Sequence, residues 1–233
     1  DLGGRPARRW AVANRMAPYL TAIFANSPRY RGRETGVRSF RAEQWRRLDP
    51  SRTGVFHDEE DPLREYLVFA LAARDFLGCP EDGSAVPFRT SWEAGADLEA
   101  WRAHLTTLFP EVRPRGYLEI RSVDALRPAW LPVPALLVAG VLYDPRALED
   151  AHALLPPADP ARLAQAGRAG LGDGELADTA LQLFDLGMEG ARRMGWGSGL
   201  DRDLELARTF RERFTARGRD PGHEEEGLDP FEL

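Results

Sequence analysis

Glu119 and Arg121 are the residues whose types and spacing best suggest chemistry. Read at the two-residue period of a β-strand, the sequence YLEIR places Tyr117, Glu119 and Arg121 on one face, while Leu118 and Ile120 point to the other. A carboxylate beside a guanidinium is suited to holding a divalent cation and an anionic phosphate. The same alternation is also typical of a strand with one solvated face, so the pattern alone leaves both interpretations open.

A second group of candidates lies in the arginine-rich segment 29–54. The first 56 residues contain twelve Arg and four acidic residues, so this part of the chain is strongly basic and its natural partner is a small anion. An exposed basic loop is one alternative. Another is a nucleic-acid-binding arm in which Tyr30, Phe40 and Trp45 stack on bases.

Within this segment the strand period places Val37, Ser39 and Arg41 on one face. Trp45 follows Arg41 by four residues, and Arg52 lies in a Pro-Ser-Arg-Thr-Gly turn. The segment is too rich in arginine for a core strand and too regular for a linker. The pattern alone leaves the exposed loop and the nucleic-acid-binding arm open beside a site for a small anion.

Helices are predicted to position both segments. Apolar residues at helical spacing predict an amphipathic helix over 6–25, with Arg8, Arg9 and Arg15 on its outer side and a kink or fresh start at Pro18. After the 117–121 strand, Pro134 suits the first turn of a strongly apolar helix. Further helices are predicted at 145–155, 159–169, 174–194 and 201–217.

Composition excludes several classes of function. The net charge of −6 and the pI near 5.4 argue against a general nucleic-acid binder. All 31 basic residues are arginine, which rules out a P-loop lysine and a Schiff-base lysine within this sequence. Cys79 is the single cysteine, so no internal disulfide or thiolate metal cluster forms within this sequence, and a reducing cytoplasm fits. No apolar run approaches the roughly 20 residues of a membrane span.

Three polar segments are assigned structural roles. The acidic cluster at 57–61 precedes Pro62 and is interpreted as a helix N-terminus, with a metal site as the alternative. Residues 81–96 are predicted to form a surface loop, followed by a helix that Asp97 caps. The run 195–199 is predicted to be a turn, since a phosphate-binding loop would follow a strand.

Two stretches of the sequence resemble the glutamate–cysteine ligases of the plant and bacterial type. One contains FANSP, GRETG, SFRAEQW and LDPSRTG, and the other contains HLTTLFPEVRPRGYLEIRSVDA followed by LPVPALLVAGVLYD. The resemblance is strongest at 19–54 and 97–144. More remotely, it extends to the glutamine synthetase superfamily. It implies an α+β fold: an antiparallel sheet that includes the two arginine-bearing segments, backed by helices, with a helical C-terminal third.

The resemblance also implies roles for five residues. Arg41 and Trp45 correspond to the family's glutamate pocket and Arg52 to an arginine near the phosphates. Glu119 would bind Mg²⁺, and Arg121 would neutralise charge as the phosphoryl group moves. Where family members often have Gly-Ala-Asp after the Glu-x-Arg, this chain has Ser-Val-Asp at 122–124.

The implied activity is the ATP-dependent joining of glutamate to cysteine through a γ-glutamyl phosphate. A ligase that uses another amine, and a noncatalytic relative that binds glutamate or nucleotide, are the alternatives. The pathway served, glutathione, ergothioneine or another thiol, is left open. Because family members are longer at the N-terminus, residues 1–217 are expected to be the C-terminal part of a catalytic domain. Activity is expected to need the N-terminal remainder of that domain. Residues 218–233 are expected to form an acidic, flexible tail.

Overall fold

The computed structural model describes residues 6–78, 86–197 and 199–224. Helices dominate these residues, and two small antiparallel sheets accompany them, which confirms an α+β fold with a helical C-terminal third. The helices are α1 (Pro6–Ile23), α2 (Phe40–Leu48), α3 (Pro62–Ala72), α4 (Phe88–Glu93), α5 (Leu98–Thr106), α6 (Pro132–Tyr143), α7 (Pro145–Leu154), α8 (Pro160–Ala169), α9 (Gly174–Met194) and α10 (Leu200–Arg213). The strands are β1 (Arg29–Tyr30), β2 (Arg33–Glu34), β3 (Val112–Pro114) and β4 (Leu118–Ile120).

Helix α1 lies at the centre of the core. Fourteen of its eighteen residues are buried, because α6, α7, α8 and α9 all pack against it. The prediction that Arg9 lies on the polar outer side of this helix is wrong. Arg9 is buried, and its Nε donates to the carbonyl oxygen of Leu142 at 2.7 Å. The helix also continues through Pro18 as one element. A helix surrounded on several sides has no wide face to leave for solvent.

Helices α6 and α9 approach each other through three glycines. A Cβ atom built on Gly140 would lie 2.0 Å from the carbonyl oxygen of Gly187, and one built on Gly190 would lie 2.1 Å from that of Gly140. The two backbones are therefore in direct contact. This contact buries the apolar residues of α6, among them Leu137 and Val141, against the long amphipathic helix α9.

Among the described residues, no single helix is long and apolar enough to cross a bilayer. Residues 128–143 and 145–154 together have the length and composition of a span, but the pair is bent by 94°.

The strand predicted over 37–41 is wrong. Ser39 instead caps α2, because its hydroxyl accepts a hydrogen bond from the backbone N–H of Ala42 at 3.1 Å. Strands form just upstream, where β1 and β2 are joined by Arg31 and Gly32. Both joining residues have positive φ, at 50° and 74°, as a two-residue type I′ hairpin requires.

The predicted starts of two other helices are confirmed, although α3, predicted to reach Leu77, ends at Ala72. Asp61 caps α3 and Asp97 caps α5, so the acidic cluster does contain a helix N-terminus. The segment expected to be a surface loop contains the short helix α4, while Cys79 lies outside the described residues. Gly195 ends α9 in the left-handed conformation, consistent with a turn.

The first residues of the predicted tail pack against the body of the protein. Asp220 is fully buried and accepts hydrogen bonds from Nε and Nη2 of Arg38, the former at 3.0 Å. The backbone N–H of Gly222 donates to the carbonyl oxygen of Ala25 at 3.1 Å. Residues 225–233 lie outside the described residues, so their flexibility stays a prediction.

We expect Gly140→Ala to destabilise the protein by about 3 kcal/mol, because the new methyl group would force apart the backbones of α6 and α9. Urea unfolding followed by circular dichroism measures this loss. Gly174→Ala is the matched control at the start of α9, where a Cβ atom meets nothing within 4 Å. It should be neutral or slightly stabilising. Equal effects of the two substitutions would contradict the close approach of the helices.

Candidate active site

The hairpin of β3 and β4 surrounds Glu119 with arginines. Arg113 lies directly opposite Glu119 in the antiparallel register, and its Nε and Nη2 donate to the two carboxylate oxygens at 2.9 and 2.8 Å. Arg121 donates to Oε1 of Glu119 at 3.1 Å, and Arg115 lies 3.4 Å from Oε2. The prediction that Glu119 and Arg121 share a strand face is confirmed, and Leu118 packs on the core.

Arg121 also contacts two aromatic rings. Its guanidinium carbon lies 5.1 Å from the ring centroid of Trp45 and 5.3 Å from that of Phe109, within cation–π range of both. The two rings pack on each other with centroids 4.6 Å apart. Arg41, one helical turn before Trp45 on α2, donates to the carbonyl oxygen of Arg121. We call Arg41, Trp45, Phe109, Arg113, Glu119 and Arg121 the Arg–Trp cluster.

Asp124 positions helix α2 against the segment that follows β4. Its buried carboxylate accepts hydrogen bonds from Ser39 Oγ at 2.7 Å, from Ser27 Oγ at 2.6 Å and from the backbone N–H of Asn26 at 2.9 Å. Ser39 is itself the cap of α2. One carboxylate therefore joins the segment just after Arg121 to the helix that carries Arg41 and Trp45.

Glu111 is a buried carboxyl group beneath the cluster. Ser122 Oγ donates to it at 2.7 Å. Burial raises the pKa of Glu111 above its ordinary value, although the Ser122 hydrogen bond and the charges of Arg41 and Arg121 oppose that shift. The backbone N–H of Arg121 also donates to the Glu111 carbonyl oxygen at 2.9 Å.

The structure brings four of the five predicted residues together and places the fifth elsewhere. The guanidinium of Arg52 is fully buried, where it donates to the carbonyl oxygen of Thr107 at 3.1 Å and contacts the ring of Phe76. Its backbone carbonyl oxygen accepts a hydrogen bond from the N–H of Phe109, a residue of the Arg–Trp cluster, at 2.7 Å. The contact with phosphates stays a prediction for Arg52.

The cluster carries a net positive charge and is partly open to solvent. Its three guanidinium groups, on Arg41, Arg113 and Arg121, against the carboxylate of Glu119 give three positive charges and one negative, and Arg115 lies close by. Burial raises the pKa of Glu119, but the hydrogen bonds from Arg113 and Arg121 outweigh it, so the pKa lies below its ordinary value. With Glu119 ionised and paired, the remaining guanidinium groups can bind a carboxylate or a phosphate.

The donor set of the described residues does not fit a resident Mg²⁺ ion. Mg²⁺ prefers several oxygen ligands, yet Glu119 is a single carboxylate already paired with guanidinium groups. No group of three or more His, Cys, Asp or Glu side chains suited to a metal occurs among the described residues. The metal-binding role of Glu119 therefore stays a prediction.

Sequence reasoning missed four residues of this region. Arg113 could have been found by folding VRPRGYLEI as a hairpin about Gly116, which has a φ of 76° and brings Arg113 opposite Glu119. Phe109, Glu111 and Asp124 carry no such signal. They approach Trp45, Ser122 and Ser39 only through tertiary packing.

This geometry, a flat aromatic surface beside several arginines, is chemically suited to a small anionic molecule. The sequence model of the glutamate-cysteine ligase family 2 (GCS2) matches residues 3–204, which include every residue of the Arg–Trp cluster. The chain therefore belongs to this family.

Several curated proteins are similar to the chain. The protein named glutamate–cysteine ligase EgtA from Mycolicibacterium smegmatis is 37% identical over 209 residues, which cover 82% of this chain and 48% of that protein. Chloroplastic glutamate–cysteine ligases from Oryza sativa subsp. japonica and Arabidopsis thaliana are 31% and 32% identical, each over 61% of this chain and about a third of their own length. The chain thus spans about half the length of the bacterial relative.

We expect Asp124→Ala to destabilise the protein by about 3 kcal/mol, because it leaves three donors without their acceptor, of which Ser39 is fully buried and the other two are partly buried. Urea unfolding gives the free energy of unfolding. Asp178→Ala, at an exposed position of α9, is the control and should change it by less than about 0.5 kcal/mol. A loss no larger than the control's would contradict the assignment of Asp124 as the residue that joins the two segments.

We expect Glu111→Gln to gain stability relative to the unchanged protein as pH rises. A carboxyl whose folded-state pKa is raised binds its proton more tightly in the folded protein, so its contribution to stability is full below the unfolded-state pKa. That contribution is lost as pH rises through the folded-state pKa. Glutamine keeps an acceptor for Ser122 and does not ionise. Melting temperatures of the variant and of the unchanged protein, measured from acid to neutral pH, test this. Glu212→Gln, at an exposed position, is the control, and we expect its melting temperature to follow that of the unchanged protein over this pH range.

Proposed function

We propose that this chain supplies the glutamate-binding part of an ATP-dependent glutamate–cysteine ligase. The observation that carries the proposal is the Arg–Trp cluster: several guanidinium groups and one aromatic wall within a chain of the GCS2 family. Glutamate presents two carboxylates separated by a short aliphatic chain. Guanidinium groups suit the carboxylates, and the ring of Trp45 suits the methylenes.

In this reaction an oxygen of the glutamate γ-carboxylate attacks the γ-phosphorus of ATP and ADP leaves. The amine nitrogen of cysteine then attacks the acyl carbon, phosphate departs, and the amine loses a proton. We assign Arg41 to a glutamate carboxylate, Trp45 to the wall of the pocket, and Arg121 to the charge on the transferring phosphoryl group. The Trp45 and Phe109 rings hold the Arg121 guanidinium in place before substrate binds, which favours electrostatic stabilisation.

Mg²⁺ and ATP belong to this proposal through the family's chemistry. Mg²⁺ supplies charge neutralisation for the phosphates when bound. Since the described residues lack a complete set of ligands, we propose that further carboxylates come from the portion of the longer ligases that this chain does not match. By the same reasoning, the chain alone is expected to be inactive, and β3 and β4 are proposed to belong to a larger antiparallel sheet of the glutamine synthetase type. A cytoplasmic location is also proposed.

Arg41→Ala in the full-length gene product should lower kcat/KM for glutamate by about a hundredfold, the typical effect of losing one such contact. The measurement is ADP release in the presence of Mg²⁺ and glutamate, with and without cysteine. Arg146→Ala, at a mostly exposed position on α7, removes the same charge outside the cluster and should leave the rate unchanged. Equal rates for the two variants would show that Arg41 does not contact glutamate.

Glu119→Gln separates the two roles open to that residue. If Glu119 holds Mg²⁺, the substitution raises the Mg²⁺ concentration needed for half-maximal rate. If Glu119 only orients Arg113 and Arg121, glutamine keeps an acceptor for them and the Mg²⁺ dependence stays the same. Titrating Mg²⁺ at saturating ATP and glutamate distinguishes these results.

The runner-up within the same mechanism is a ligase that joins glutamate to another amine. ADP release that depends on a different amine and not on cysteine would support it. Glutamate or nucleotide binding without turnover by any amine, in the full-length product, would instead favour a noncatalytic relative.

A further inference from the structure

A cavity of about 400 Å³ lies between α1, α7, α8 and α9, and none of its lining residues belongs to the Arg–Trp cluster. Its volume falls within the range of small-molecule sites. The polar lining residues are Tyr19, Arg162, Gln165, Asp173, Glu175 and Thr179. Apolar side chains such as Leu154 and Leu176 complete the walls.

The cavity has a guanidinium and a carboxylate that are both available to a ligand. Among the described residues, Arg162 forms no ion pair, and its Nη1 donates to the carbonyl oxygen of Pro157 at a long distance of 3.4 Å. Within the same part of the chain, Glu175 has no ion pair either. Asp173, by contrast, is occupied as the cap of α9, where it accepts from the N–H of Leu176.

Tyr19 gives the cavity a neutral hydroxyl group. The residue is 3% exposed, and burial raises the pKa of its phenol, so the hydroxyl stays protonated. Thr179 also lines the cavity. The hydroxyl groups of Tyr19 and Thr179 add uncharged donors and acceptors to the lining.

We propose that this cavity binds a free polar α-amino acid, with the carboxylate of the ligand on Arg162 and its ammonium group on Glu175. A simple anion would meet two carboxylates here, and a simple cation would meet the guanidinium. A zwitterion satisfies both charged groups of the cavity at once. The uncharged side chains, Gln165 among them, suit a polar substituent. This inference does not depend on the ligase activity.

Helix α8 links the cavity to the segment that precedes α2, the helix that carries Arg41 and Trp45. Helix α8 supplies Arg162 and Gln165 to the cavity, while its Gly167 carbonyl oxygen accepts hydrogen bonds from the N–H groups of Arg38 and Ser39, just before α2. Because glutamate could bind the cluster, the test uses amino acids that lack a second carboxylate and includes a cluster variant.

The 233-residue chain is titrated by calorimetry with L-serine, L-asparagine and L-glutamine. We expect millimolar or tighter binding of at least one. The analogues ethanolamine, which lacks the carboxylate, and N-acetyl-L-serine, which lacks the ammonium group, should not bind. Arg162→Ala and Glu175→Gln should each weaken binding by at least about tenfold. Arg146→Ala and Arg41→Ala should leave it unchanged, and circular dichroism checks that every variant is folded.

The absence of binding by all three amino acids overturns the proposal. So does binding that survives both Arg162→Ala and Glu175→Gln. Binding that disappears in Arg41→Ala assigns the amino acid to the Arg–Trp cluster and equally rejects the cavity. None of these results bears on ADP release by the full-length ligase, so failure here is distinguishable from failure of the proposed function.

Discussion

The buried carboxylate of Asp124 is the interaction on which the geometry of the candidate active site depends. It accepts hydrogen bonds from the turn after α1 and from the cap of α2, and it lies three residues after Arg121. A buried charge is costly unless it is fully hydrogen-bonded, so this arrangement tolerates little displacement of any of the three segments. The consequence is a fixed distance between the helix that carries Trp45 and the strand that carries Glu119.

Around that connection, the cluster concentrates like charges that would otherwise repel each other. The carboxylate of Glu119 and the faces of Trp45 and Phe109 offset part of the repulsion between Arg113 and Arg121. The surplus of positive charge is what makes the site suitable for carboxylate and phosphate groups. The same surplus explains why a chain with a net charge of −6 still has a basic functional face.

The core provides the rigid support. Helix α1 is buried by its neighbours, and the α6–α9 contact is close enough that Gly140 and Gly187 have no room for side chains. The site is placed at one edge of this core through the β3–β4 hairpin, whose Leu118 and Ile120 pack inward while Glu119 points to the arginines. The two-residue period of β4 therefore places its apolar side chains on the core and its carboxylate among the arginines.

The sequence by itself determined the local features. The alternation in YLEIR, the caps at Asp61 and Asp97 and the limits of α9 each depend on neighbouring residues, and local patterns carry that information. Arg41 and Trp45 were found through family resemblance, while the strand predicted over 37–41 was wrong because Ser39 acts as a cap. Only the tertiary structure decided that Arg9 is buried, that Arg52 lies among Thr107 and Phe76, and that Asp124 joins two segments. These outcomes depend on residues that are far apart in the chain, whose proximity is set by packing.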